Sequence, residues 1–263
     1  MTPTSLADRL REAFTSRTPI APLTQTHPGL TLDDAYTIQA IGMERRRAAG
    51  LFTGAPTHPV GRKVGITSRA VQEWLGVSEP DFGVLLDEME IPASGSAPIT
   101  NMLQPRVEAE IAFVLRRPLA GPGVSVAQAI AAVECVLPAI EIIDSRIADW
   151  TFRIEDTVAD NASSAMFTLG TRPTRLRDID LPMTGMTMRK NGRVVSTGAG
   201  AACLGNPINA LVWLANRLGP YGESLNAGDV ILSGALGPVS PVAAGDAITA
   251  AIGSMGEVSV RFT

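Results

Sequence analysis

Between Arg106 and Leu115 the chain alternates: Val107, Ala109, Ile111 and Phe113 are apolar, and Glu108 and Glu110 fall between them. Side chains two apart on a strand share a face. The segment is therefore predicted as a strand with one face in a core and two carboxylates on the other, about 7 Å apart at the backbone. The next apolar run, Val136 to Ile143, is apolar on both parities and is predicted as a buried strand, with Glu141 as its one acidic residue. Two such strands require a sheet that other elements cover.

The rest of the chain says how. Ser5–Phe14 and Thr31–Ala49 carry helical periodicity, the second with Thr31 as cap, Asp33 and Asp34 in its first turn and Gly50 at its end. Its Arg45-Arg46-Arg47 run reads either as an anion site or as a solvated C-terminal turn. Val60–Thr67 reads as a strand and Ser68–Leu75 as a short helix closed by Gly76. Val126–Glu134 is predicted as an Ala-rich helix, and Ser164–Leu169 as a strand. Met186–Val195 is predicted as a hairpin turning at Asn191-Gly192. Asn206-Pro207 opens a helix to Leu218, with Gly219 beyond it, and Asp229–Leu232 and Glu257–Phe262 are predicted late strands. Strands dominate the second half, which predicts an α+β fold rather than a doubly wound sheet. The expected organisation is a single domain over 1–263. Residues 1–80 form a mostly helical N-terminal subregion, and 81–263 a β-rich core.

Composition excludes several classes. The 263 residues carry a formal net charge of -4, so there is no basic footprint for nucleic acid. No apolar run has the length of a membrane span, and the N-terminal residues lack a signal-peptide core. Cys135 and Cys203 are the only cysteines and make neither a disulfide framework nor a CxxC pair; a reducing cytoplasm is expected. Gly198–Cys203 resembles a dinucleotide loop but has Cys where the third Gly belongs, and no GxSxG is present.

Same-side Glu108 and Glu110 repel unless water or a cation lies between them. They read as a solvated strand face or as a cation site. Glu141, among apolar neighbours, needs a proton, a cationic partner or a metal. Three carboxylates on neighbouring strands would make an all-oxygen site suited to Mg²⁺ or Mn²⁺. His27 and His58 are the only histidines, which argues against a His-based site. Lys63 shares a face with Gly61 and Gly65, either clearing room for a ligand or lying exposed on a Gly-rich edge strand. Asp81, in Glu-Pro-Asp-Phe-Gly, has turn composition. Asp156–Ser164 reads as a polar loop. Ser233–Pro238 would expose backbone amides and a hydroxyl at a strand end.

Six segments then combine into a recognisable order: Gly-Arg-Lys-Val-Gly-Ile-Thr-Ser (61–68), Pro-Asp-Phe-Gly (80–83), Arg-Val-Glu-Ala-Glu-Ile-Ala (106–112), Ala-Ile-Glu-Ile-Ile-Asp-Ser-Arg (139–146), Val-Ala-Asp-Asn-Ala-Ser (158–163) and Gly-Asp-Val-Ile-Leu-Ser-Gly-Ala-Leu-Gly-Pro (228–238). Together they resemble the 2-keto-4-pentenoate hydratase (2-hydroxypenta-2,4-dienoate hydratase) family of the fumarylacetoacetate hydrolase superfamily, over nearly the whole chain. The resemblance implies a mixed β-sheet roll with peripheral helices and a homo-oligomer. It implies a metal-dependent hydro-lyase of the meta-cleavage breakdown of aromatic compounds, associating with other enzymes of that pathway. It also implies that Glu108, Glu110 and Glu141 bind Mg²⁺ or Mn²⁺, that Lys63 is catalytic and Asp81 adjoins the substrate, and that Ser163, Ser233 and Gly234 line the pocket. The alternatives are a 4-oxalocrotonate decarboxylase of the same superfamily, which shares the carboxylates and the lysine; a C–C hydrolase, which would want a His–Glu pair; and a non-catalytic subunit, which would have lost these residues.

Overall fold

A computed structural model describes residues 2–263. Its helices are α1 (Pro3–Ser16), α2 (Leu23–Thr26), α3 (Leu32–Ala49), α4 (Arg69–Leu75), α5 (Val126–Ala132), α6 (Ile154–Ala159) and α7 (Pro207–Leu218). The capping signals hold. Thr31 and Asp34 form a reciprocal capping box on α3, and Gly50 ends it in the left-handed region at φ 59°. Ser68 caps α4 and Asn206 caps α7, with Pro207 in the first turn. No helix is long and apolar enough to cross a membrane among the described residues.

The strands are β1 (Pro59–Gly65), β2 (Asp81–Leu86), β3 (Glu90–Ile91), β4 (Ser96–Ala97), β5 (Arg106–Leu115), β6 (Val133–Ile143), β7 (Ser164–Leu169), β8 (Gly185–Lys190), β9 (Arg193–Ala199), β10 (Val230–Ala235), β11 (Ser240–Pro241), β12 (Ala247–Ile252) and β13 (Gly256–Phe262). They make two mixed sheets. The larger runs β2-β1-β10-β5-β6-β7-β3, with β11 on the end of β5; the smaller runs β4-β13-β12-β8-β9. The fold is α+β, as expected. The β8–β9 hairpin turns at Asn191-Gly192, both with positive φ (51° and 79°), as a type I′ turn requires.

Three expectations are corrected. Helix α5 stops at Ala132 and β6 begins at Val133, so the predicted helix overran by two residues. Its start is local, a Ser125–Gln128 capping box, but its end is set by pairing with β5 from Val133 onward. Asp81 is not in a turn: it opens β2, paired opposite Gly65. Asp156–Ser164 is not a polar loop but the end of α6 followed by a 3₁₀ turn, and every residue in it is buried. Pro138 sits in the middle of β6 without breaking it. Strand β7 ends at Leu169, opposite Ala139, so the N–H that proline lacks falls beyond its last paired residue.

The core lies on both faces of the larger sheet. Val107, Ala109, Ile111 and Phe113 of β5 are at most 1% exposed and enter the main core. Ala112, on the opposite face, joins a smaller cluster with Leu85, Leu232 and Met43 of α3. The N-terminal helices are thus tied to the sheet. Tyr36 of α3 stacks on Phe82 of β2 with ring centroids 4.5 Å apart. Buried Gln39 donates from Nε2 to the carbonyls of Phe82 and Val158, both at 2.9 Å. Replacing its amide with an apolar group of similar size strands two buried carbonyls. Gln39→Leu should therefore lower unfolding stability by about 1–3 kcal/mol, read as a lower urea midpoint at unchanged slope. An unchanged midpoint would mean that Gln39 contributes nothing to holding α3 on the sheet.

Candidate active site

The antiparallel register of β5 and β6 sets Glu108 directly opposite Glu141, and Glu110 lies two residues further along the same face. One carboxylate oxygen from each comes within 4.8 Å of the others. Glu110 and Glu141 are fully buried and Glu108 is half-buried, so this is not a solvated strand face. The opposite face of β5 is filled by the core, which leaves the carboxylates no way to turn outward.

Lys63 reaches the same place from β1. Its ammonium is 3.3 Å from Glu141 Oε2 and donates to the carbonyl of Ala162 at 3.0 Å. It is 3% exposed, which removes the edge-strand reading. The glycines around it clear room for protein rather than for a ligand. A Cβ on Gly65 would lie 2.3 Å from Asp81 Oδ1 and 3.1 Å from Lys63 Nζ. One on Gly83, opposite Lys63 in β2, would meet the Asn161 carbonyl at 2.6 Å and Lys63 Cγ at 3.2 Å. A Cβ on Gly61 would strike the Val230 carbonyl of β10. The glycines let Lys63 and Asp81 pack beside one another against the carboxylates.

The carbonyl that accepts from Lys63 belongs to an unusual segment. Asn161, Ala162 and Ser163 all have positive φ (56°, 50° and 55°), three consecutive left-handed residues without a glycine. Side chains over-determine this conformation. Asn161 accepts from Val84 N at 2.8 Å and donates to Val84 O at 3.0 Å, acting as a missing neighbour for β2. The preceding Asp160 is buried and ion-paired with Arg146, and accepts from the Arg146 backbone N–H at 2.9 Å. Ser163 packs its hydroxyl 3.4 Å from that of Thr157. Among these residues only Ser163 was singled out from sequence. Asn161 carried a faint signal, since Asn tolerates left-handed backbone, whereas a backbone carbonyl such as that of Ala162 carries none.

Ser233 and Gly234 lie within β10, which runs past the predicted end at Leu232 to Ala235 and is buried there rather than exposed. Gly234 occupies a register shift between Leu232 and Ala235 at φ 100°. Its N–H donates to Glu110 Oε2 at 2.8 Å, and a Cβ there would lie 2.3 Å from Thr67 Oγ1. Ser233 accepts from Ile111 N at 3.2 Å and donates to the Gly234 carbonyl at 3.1 Å, bridging β10 to β5.

Four carboxyl groups therefore crowd one ammonium. Burial pushes Asp81 up to about 6, against the pull of Lys63. Burial, with the charges of Glu141 and Asp81, pushes Glu108 up to about 7. Burial, Glu141 and Glu108 hold Glu110 well above the ordinary glutamate value. Burial works against the Lys63 charge, yet Glu141, Asp81, Glu108 and Glu110 outweigh it and raise its pKa. Among the described residues, Glu110 Oε1 and both Glu141 oxygens have no hydrogen-bond partner, the Lys63–Glu141 contact being an ion pair without hydrogen-bond geometry. Buried carboxylate oxygens without donors are costly. Three of them converging from Glu110 and Glu141 beside Glu108 fit a hard divalent cation, which takes oxygen ligands.

Known proteins resemble this chain over most of its length. The fumarylacetoacetate (FAA) hydrolase C-terminal family matches residues 71–263. A 2-keto-4-pentenoate hydratase of Paraburkholderia xenovorans is 48% identical over 256 residues, 97% of this chain and 93% of the relative. A 2-hydroxyhexa-2,4-dienoate hydratase of Comamonas testosteroni is 46% identical over 257 residues, 97% and 95% of the two chains. A 4-oxalocrotonate decarboxylase from Pseudomonas putida G7, solved with magnesium and adipate, superposes with a TM-score of 0.93 at 39% identity, covering 99% of this chain and 97% of that one. With its three-carboxylate cluster on paired strands and these relatives along nearly its full length, the chain belongs to the fumarylacetoacetate hydrolase family.

Proposed function

We propose that this chain is a metal-dependent hydro-lyase that converts 2-hydroxypenta-2,4-dienoate, or a close analogue, to 4-hydroxy-2-oxopentanoate. The observation that carries the reading is the cluster of Glu108, Glu110 and Glu141 with unpartnered oxygens, closed on one side by buried Lys63. The hydratase names of relatives at 46–48% identity supply the substrate class. The three glutamates would hold Mg²⁺ or Mn²⁺, which when bound supplies Lewis-acid stabilisation of negative charge on a substrate oxygen. Lys63 is a fixed cation beside that position, held by Glu141 and the Ala162 carbonyl, and stabilises an enolate oxygen or passes a proton to it. Asp81, with its pKa near 6, takes up and releases a proton close to neutral pH and serves as general acid and base. The reaction divides into two proton-balanced parts. The dienol first loses its hydroxyl proton and gains one at the terminal carbon, giving the conjugated 2-oxo-3-enoate. Water then adds, its hydroxyl to carbon 4 and its proton to carbon 3. Ser163, Ser233 and Gly234 shape the site in this reading, the last through its N–H to Glu110.

The N-terminal helices and the β-rich remainder act as one domain in this account, since α3 is bonded to β2 and α6, on which Asp81 and the Lys63 acceptor depend. The enzyme works as a homo-oligomer in the cytoplasm, beside other enzymes of meta-cleavage degradation. A decarboxylase is the second reading, favoured by the 0.93 superposition and by Arg106, whose guanidinium lies 4.5 Å over the Trp150 ring and is available to a second carboxylate. A C–C hydrolase, which would want a His–Glu pair, finds no support: among the described residues neither His27, whose Nδ1 lies 2.9 Å from Thr26 Oγ1, nor His58 has a carboxylate at its ring.

Three outcomes test the proposal. With freshly generated dienol and Mg²⁺, the product should be heavier by one water and EDTA should stop its formation; carbon dioxide from 2-oxo-3-hexenedioate with no hydration would install the decarboxylase instead. Lys63→Met should reduce kcat by about 10²–10⁴-fold without weakening Mg²⁺ binding, because losing a neighbouring cation removes a repulsion on the metal; weakened metal binding would make Lys63 structural. The third outcome concerns protons. Between the ordinary glutamate value and about 7, the metal-free folded protein keeps a proton on Glu108 that the unfolded chain has released. Stability of the metal-free protein should therefore fall as pH rises through that window, and metal binding should expel protons and tighten with pH. Calorimetric titration at pH 6 in buffers of different ionisation enthalpy reads the released protons directly, and a buffer-independent heat would contradict the assignment.

A further inference from the structure

A cavity of about 160 Å³ is lined by α1 and α3, and none of the three glutamates borders it. Leu10 and Phe14 of α1, Ile38 and Met43 of α3, and Leu51 form apolar walls. Four arginines also line it: Arg11, Arg45, Arg46 and Arg146. Their carboxylate partners number three. Arg45 and Arg11 share Asp8 at 2.8 and 3.7 Å, Arg46 pairs with Glu88 at 2.8 Å, and Arg146 pairs with Asp160. One positive charge is left over, on the Arg11–Asp8–Arg45 group at the solvent side, where the Arg11 side chain is 63% exposed. The buried Nη2 of Arg46 has no hydrogen-bond partner among the described residues. The Arg45-Arg46-Arg47 run is thus not a simple solvated helix end: Arg47 pairs outward with Glu44, while its two neighbours turn to the cavity.

Gly42 adds a separate observation. It stands in the interior of α3, where glycine costs helix stability relative to alanine. A Cβ there would meet nothing within 4 Å, so no packing constraint demands glycine. It lines the cavity, and its missing side chain keeps the space open. Apolar walls, one surplus cation and an unpartnered guanidinium N–H together suit a ligand with one negative charge and an apolar body. Asp160 and Asn161, the residues immediately before the Ala162 carbonyl that holds Lys63, also line the cavity.

We propose that this cavity is an effector site for a small amphipathic monocarboxylate, acting on Lys63 through the Asp160–Ala162 segment. The binding part stands by itself, and the effect on turnover rests on the hydratase reading. The test is calorimetric titration of the Mg²⁺-loaded protein with hexanoate and benzoate, with hexanamide as the uncharged control, for the unsubstituted chain and for Gly42→Leu, which fills the space. The carboxylates should bind the unsubstituted protein at least about tenfold more tightly than the amide, and Gly42→Leu should lose at least about tenfold in affinity. Equal binding to both proteins would put the carboxylate at the glutamate cluster and overturn the site, as would no binding at all. If Gly42→Leu fails to melt cooperatively, 4-bromobenzoate in crystals of the unsubstituted protein replaces it: anomalous bromine signal between α1 and α3 supports the site, and signal elsewhere or none overturns it. Turnover of the dienol should change with hexanoate in the unsubstituted protein and not in Gly42→Leu. Binding without that change overturns the effector role, whereas a protein with no hydratase activity at all fails the functional reading and leaves the titrations to judge the cavity.

Discussion

Four carboxyl groups, three of them buried and Glu108 half-buried, crowded on one ammonium are the condition around which this molecule is arranged. Like charges in a dry site are expensive, and nothing in local sequence preference would collect Glu108, Glu110, Glu141 and Asp81 together. Sheet pairing does it. The other face of β5 is committed to the main core through Val107, Ala109, Ile111 and Phe113, and a register slip by one residue would put those four where the glutamates are. Hydrophobic burial on one face is thus the force that holds the charges on the other. The site offsets part of the cost itself, through Lys63 and the Gly234 amide, and leaves Glu110 Oε1 and the Glu141 oxygens without a hydrogen-bond donor.

Around the charged centre the backbone departs from common conformations, and each departure has a visible support. Residues Asn161–Ser163 are left-handed without glycine because Asn161 pairs with β2 and Asp160 is clamped by Arg146. A buried ion pair such as Arg146–Asp160 is weak evidence for stability, since desolvation offsets most of the attraction. Its effect here is positional: it fixes the segment whose carbonyl orients the lysine. Gly234 shows the same economy, its positive φ turning an amide toward Glu110 at a point where Thr67 leaves no room for a side chain.

What could be read from the chain divides along the same line. Strand β5 and the glutamates were legible because alternation and an isolated acid in an apolar run are properties of neighbours in sequence. Helices α3 and α7 were legible from the caps Thr31 and Asn206, and α4 from Gly76 at its end, all signals that act within one turn. Asp81 was misread because Glu-Pro-Asp-Phe-Gly favours a turn locally, while pairing with Gly65 across β1 decides otherwise. The end of α5 was misplaced for the same reason, and β12, rich in alanine, gave no strand pattern until β8 and β13 flanked it. The acceptor of Lys63 was out of reach altogether, because it is a carbonyl in a conformation that only tertiary contacts impose.

The helical layer is the part whose role sequence pattern alone conceals. Helices α1 and α3 contribute no group to the glutamate cluster, yet α3 grips β2 at Phe82, the residue after Asp81, by stacking and by the Gln39 amide. The same amide holds Val158, two residues before Asp160. One side chain therefore links the strand that carries the proposed acid–base group to the segment that orients the lysine. Any displacement of α3 must move both or break a buried hydrogen bond. A helical layer so connected can transmit an event on its outer side to the chemistry without contributing a reacting atom.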